Sequence, residues 1–301
     1  MSTYKCSMVN EKNLLLEYTI DTLLNTFNPG RRPIMRRLHF YKMMDILDTK
    51  LQDKEIDIKY PNYWYKYGSV TDFSYLDQII PNGFSGRYID NENILFPKSH
   101  RRNYDVDPKK QLTINSTINS LCKHYQYKED YGELLKKESY KLNSPYTFNT
   151  TFQEYIKIVV NQGQSTLTPR EEILESLLNK LLSEFPEDDF PEILDLNLLW
   201  DDTTRLVLDY VEDRWSKDYY LNILMNLFWD SYSKGIRSIF NKYFPSEYVL
   251  KWKEEYEISI LEVDKKIGEL RKGIIVEQKH KFSADNDLVK KLLVKAYDLN
   301  V

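Results

Sequence analysis

Val249, Tyr256, Val263 and Leu270 recur at every seventh position, and Trp252, Ile260 and Ile267 fill the alternate apolar positions between them. An apolar seam with that period suits only an α-helix that lays one face against another surface. The spacing predicts a long helix from Ser246 to Lys272, with Gly273 as a left-handed stop. Its seam is expected to pack on a partner helix of the same chain. The alternative is an external role, in which Trp252, Tyr256, Val263 and Leu270 dock another protein or a second copy through the 246–272 helix. Only 9 Gly and 11 Pro occur in 301 residues, too few for a loop-rich all-β fold, a collagen-like chain or a Gly-rich nucleotide cradle. A mainly α fold is expected.

Punctuation divides the rest of the chain. Residues 11–28 read as an amphipathic helix ended by Asn28-Pro-Gly30, and Pro33 suits the first turn of a second helix running to about Leu51, with Leu38, Tyr41, Met44, Ile46 and Leu47 as its buried side. Tyr60 to Gly68 reads as an extended aromatic segment closed by a turn, because Pro61 disfavours helix before it and Gly68 allows positive φ. Thr71 or Asp72 is placed to cap a short helix through Ile80, and Phe84–Phe96 has the alternation of a small hairpin. Thr168-Pro-Arg-Glu171 reads as a capping box with Pro169 in the first helical position. The expected organisation is a module at 1–96, a basic linker or loop at 97–110 and a helical domain at 111–301.

Catalytic constellations are scarce. The four histidines, His39, His100, His124 and His280, form no pair at ligand spacing, and Cys6 and Cys122 build neither a disulfide framework nor a thiolate zinc site, so no metal and no cofactor are expected. No phosphate-binding glycine motif and no G-x-S-x-G elbow occurs. One enzymatic pattern stands as the alternative reading. If Gly273–Glu277 is a strand, Glu277 and Lys279 lie on one side of it, as the metal-holding carboxylate and the lysine of a divergent metal-dependent nuclease would.

Charge is unevenly spread. The chain carries a net −4, but residues 1–150 hold 22 Lys and Arg against 18 Asp and Glu, whereas 184–213 holds eleven acids opposed by Arg205 alone. The basic stretch 31–54 contains Arg31, Arg32, Arg36, Arg37, Lys42, Lys50 and Lys54, and Arg101 and Arg102 lie in the loop beyond it. The six arginines are the candidate phosphate contacts should DNA or RNA bind, with Tyr63, Trp64 and Tyr65 available to stack on bases. The acidic 184–213 stretch joins the heptad seam as a candidate protein-docking surface.

Arg37-Leu-His-Phe-Tyr-Lys-Met-Met-Asp-Ile-Leu47, followed by Tyr63-Trp-Tyr-Lys-Tyr-Gly-Ser-Val70, resembles the Panacea-type, antitoxin-associated winged-helix-like modules. The resemblance covers about residues 10–95: Tyr67, Gly68 and Val70 match an aromatic-Gly-Pro-Val element, and Leu76 and Ile79 match the core of the helix after it. Ser69 stands where those modules usually have proline. It implies a non-catalytic role in binding partner proteins or regulating DNA, in toxin–antitoxin or phage-defence operons. The expectation is therefore a regulatory or adaptor subunit with a protein partner. The polar N-terminus and the lack of a long apolar run predict a cytoplasmic protein without membrane contact.

Overall fold

A helix buried nearly all round marks the centre of a domain, and Arg37–Gln52 is such a helix: 10 of its 16 residues are buried, including Lys42, Asp45 and Asp48. The computed structural model describes residues 3–27, 35–80, 83–85, 89–91, 94–95, 104–160 and 169–298. The described chain is mainly helical. It forms two compact units, one of residues 1–145 with 236–252, the other of 146–235 with 253–301. The stretch 97–110, expected as a linker, falls within the first unit, and its residues 97–103 lie outside the described set.

In the first unit, α1 (Thr3–Thr26) and α2 (Arg37–Gln52) are joined by α3 (Phe73–Ile79), α4 (Pro108–Tyr125) and α5 (Tyr131–Asn143). Leu16, Ile20, Leu23, Phe40, Met43, Leu47, Ile114 and Ile118 form its apolar interior. Leu38, expected inside, is 41% exposed, since it stands in the first turn of α2, ahead of the continuous buried run that begins at Phe40. The anticipated Pro33 lies outside the described residues, and β1 (Met35–Arg36) stands directly before the helix. The hairpin expected between Phe84 and Phe96 is β4 (Ile89–Asn91) and β5 (Ile94–Leu95), which pairs in turn with β1.

The aromatic segment is extended as its residues dictate: β2 (Asn62–Tyr65) pairs antiparallel with β3 (Gly68–Val70), and β6 (Asn241–Lys242) adds to the other side of β2. Asp72 caps α3, accepting from the backbone N–H of Ser74 at 2.8 Å. Gly68 closes the hairpin at φ +83°, and a Cβ there would lie 2.7 Å from the Lys42 ammonium, so this position needs glycine for both reasons. Lys42 donates to the carbonyls of Tyr67 and Ser69, clamping the turn to α2 from inside.

The second unit is built from α6 (Thr147–Val160), α7 (Arg170–Glu184), α8 (Leu194–Tyr210), and the parts of α9 (Arg214–Ile239) and α10 (Ser246–Asp298) that fall within it. Its core is aromatic: Phe152 stacks on Trp229 at 4.4 Å and Trp200 on Phe228 at 4.8 Å. The two Phe-Pro units are anchors, with Phe185 against Phe148 and Phe190 against Tyr232. Helix α7 begins at Arg170, so Pro169 occupies the capping position and not the first helical one, while Thr168 lies outside the described residues.

Helix α10 departs furthest from its expected bounds. Gly273 does not stop it; the helix runs on to Asp298 and absorbs the expected strand. The apolar phase explains this, since Val263, Ile267 and Ile274 are all buried and continue one helical stripe through the glycine. A glycine inside a helix costs only about 1 kcal/mol relative to alanine, less than losing such a face.

Candidate protein-docking surface

The buried side of α9 is set by Asp218, Leu221, Leu224, Met225, Phe228 and Tyr232, spaced three and four apart. Trp215 and Tyr219 fall outside that stripe, one turn from each other, and are 80% and 63% exposed. Tyr210, the last residue of α8, is 53% exposed. The chain holds five tryptophans, and Trp64, Trp200, Trp229 and Trp252 are all buried. Trp215 alone is spent on no core.

The frame beneath it is tightly made. Asp213 accepts from the backbone N–H of Ser216 at 2.8 Å and so caps the start of α9. The buried Asp218 is ion-paired with Arg170, whose guanidinium also donates to the carbonyls of Ile158 at 3.1 Å and Val159 at 2.9 Å. Lys217 donates to the Leu208 carbonyl at 3.0 Å and pairs with Glu171 at 3.1 Å. The aromatic pair therefore projects from a first turn fixed to α6, α7 and α8. Just before it in the chain Asp209, Glu212 and Asp213 are exposed, the C-terminal end of the acidic 184–213 stretch, with the exposed Arg214 between them and Trp215.

The heptad residues do not form a free surface. Trp252 and Tyr256 are buried, Trp252 against Tyr63 at 4.8 Å and Phe244 at 5.0 Å, Tyr256 against Phe190. Val263 is buried as well and Leu270 half-buried, so the seam is used inside the chain and the external docking role expected for these four is withdrawn.

Of the candidate phosphate contacts, Arg31, Arg32, Arg101 and Arg102 lie outside the described residues, and Arg36 is exposed. Arg37 is committed to the fold: it donates to the Tyr41 hydroxyl and lies over the Phe73 ring at 4.4 Å. Trp64 is buried edge-on against Tyr140, and Tyr63 is packed on Trp252, so neither offers a face to a base. Glu277 and position 279 fall on α10, where residues two apart do not share a face, and the strand that the nuclease reading needs is absent there.

Among the described residues no group of three or more His, Cys, Asp or Glu could hold a metal ion. Cys122 is buried and its thiol is pushed up to about 12 by desolvation, which keeps it un-ionised and inert. Burial, then Arg36, holds His39 down at about 4, so it packs as a neutral ring on Tyr131 at 4.6 Å. Comparison of the chain with models of known protein families, with curated proteins and with solved structures finds no match. No helix among the described residues is long and apolar enough to cross a membrane.

Proposed function

We propose that the protein is a non-catalytic adaptor or regulatory subunit that binds a protein partner through the Trp215–Tyr219 face of its second unit. The observation that carries this reading is Trp215, an exposed large aromatic on a rigid helix start, flanked by Tyr219 and rimmed by carboxylates. Tryptophan and tyrosine are the residues that supply most binding energy at protein interfaces, where a ring enters a pocket and its neighbours exclude water. The acidic rim of Asp209, Glu212 and Asp213 selects a partner segment carrying lysine or arginine beside an apolar pocket and speeds its encounter. A partner-binding role is also what the resemblance of residues 10–95 implies.

The test is co-purification of the full chain from its native host, compared with Trp215→Ala/Tyr219→Ala and with Asp209→Lys/Glu212→Lys. The expected result is one stoichiometric protein lost from both variants, whose binding to the unmodified chain weakens as salt rises. An unchanged set of bound proteins in both variants would sink the reading.

A further inference from the structure

The first unit carries a second feature with ligand-binding chemistry, independent of the docking face. A cleft of about 440 Å³ opens where the end of α2 meets the middle of α4 and the flank of α5. That volume is suited to a small molecule. Lys50 stands in the last turn of α2 and Lys54 in the turn that follows it, and Ser116, Ser120 and His124 stand at successive turns of α4 facing them. Two ammonium groups, two hydroxyls and an imidazole thus converge on one space.

The floor is buried. Thr117 and Leu121 are each 4% exposed. Lys54 donates to the Thr117 hydroxyl at 2.7 Å, and that hydroxyl donates to the Thr113 carbonyl at 2.8 Å, which pins the Lys54 head at the base of the cleft. An ammonium has three donors, so Lys54 keeps others for a ligand. Lys50 is 3.9 Å from the Glu138 carboxylate, too far for a hydrogen bond, and Glu138 already accepts from the Tyr125 hydroxyl. Lys128 stands 3.2 Å from Nε2 of His124 and so holds that ring in place at the cleft.

The acids decide what class of ligand fits. Asp53 and Glu138 share the lining with the lysines. A bare anion gains nothing from two carboxylates, and a nucleic-acid backbone favours an open track of cations. A phosphate on a hydroxylated skeleton uses both halves: its oxygens take the ammonium and hydroxyl donors, while its own hydroxyls donate to the carboxylates. We propose that the α2–α4 cleft binds a small phosphorylated polyol of the sugar-phosphate class. Lys50, Lys54 and Ser120 hold the phosphate, and Asp53 and Glu138 hold the hydroxyls.

Isothermal titration of the full chain with ribose 5-phosphate tests this, with ribose, inorganic phosphate and a single-stranded oligonucleotide titrated in parallel. Saturable binding of ribose 5-phosphate is expected, at least tenfold tighter than either fragment. Lys54→Met and, separately, Ser120→Ala are each expected to weaken it at least tenfold while circular dichroism stays unchanged. Ser120 is exposed, so its variant reports on binding even if Lys54→Met perturbs the floor. The proposal is overturned if ribose 5-phosphate gives no binding heat at millimolar concentration, or if Ser120→Ala binds it as tightly as the unmodified chain. Inorganic phosphate binding equally well would also overturn it, as would an oligonucleotide binding more tightly and being lost in the same variants.

Discussion

The two units solve the problem of an interior in opposite ways. The second is filled by rings, with Phe148, Phe152, Trp200, Phe228 and Tyr232 in mutual contact, and its ion pairs such as Arg170–Asp218 and Arg205–Asp201 keep partial access to water. The first puts titratable groups at its centre: Lys42, Asp45 and Asp48 lie on successive turns of α2, each no more than 3% exposed. Asp45 accepts from the buried Ser139 hydroxyl at 2.7 Å, and Asp48 accepts from Gln52 at 2.8 Å. A ring-packed interior is sensitive to volume, whereas a charged one is sensitive to proton activity.

That contrast can be broken first at Trp200. It is fully buried, so Trp200→Ala removes a large volume that its stacked neighbours cannot refill, and a loss of about 3–5 kcal/mol is expected in denaturant unfolding, nearly independent of pH. A loss under about 1 kcal/mol would show that the aromatic core is plastic.

The matching test in the first unit is titration. Burial holds the Lys42 amine down to about 7 from an ordinary 10.5, with Asp45 opposing the shift. The unfolded chain therefore binds this proton more readily, and the sign follows. Stability rises as pH increases from 7 towards 10.5 and is flat below 7 as far as this group is concerned. The expected span is on the order of 5 kcal/mol, read by denaturant melts across that range, and Lys42→Met is expected to remove this group's share of the slope while leaving the hairpin carbonyls without their donor. An unchanged slope in that variant would place the proton elsewhere.

The smallest effect sharpens the comparison from outside. Trp215→Ala is expected to change stability by no more than about 0.5 kcal/mol, because its exposed ring takes no part in the Asp213 cap or in the ion pairs of Lys217 and Asp218 beside it. A large loss in the same melts would make Trp215 a packing residue and not a docking anchor.

Local chemistry was the legible part. The Gly68 turn, the Asp72 cap and the aromatic strand follow from rules acting over a few residues, and the heptad seam correctly announced a long helix. Its end is not legible from Gly273 alone, because a glycine looks like a stop unless the apolar phase beyond it is followed to Ile274. The seam's role was legible only in part, since periodicity shows that a face is apolar and not which surface covers it. Trp215 carried a usable signal: once Leu221, Leu224 and Phe228 define the inner stripe, position 215 falls outside it. The α2–α4 cleft carried none, for Lys54 and Thr117 are 63 residues apart and only tertiary packing brings them together. The basic segment did direct attention to α2, but to its N-terminal arginines, of which Arg37 is consumed by Tyr41 and Phe73.

The membership of 236–252 in the first unit bears on how the protein is made. Strand β2 receives its partner β6 only after the intervening second-unit segment has been synthesised, and the Tyr63 ring waits for Phe244 and Trp252. At about 5–20 residues per second, the ribosome needs roughly 5–20 s to deliver that segment, and during this interval the nascent chain exposes an unpaired strand edge and bare aromatic rings to the chaperones of the cell.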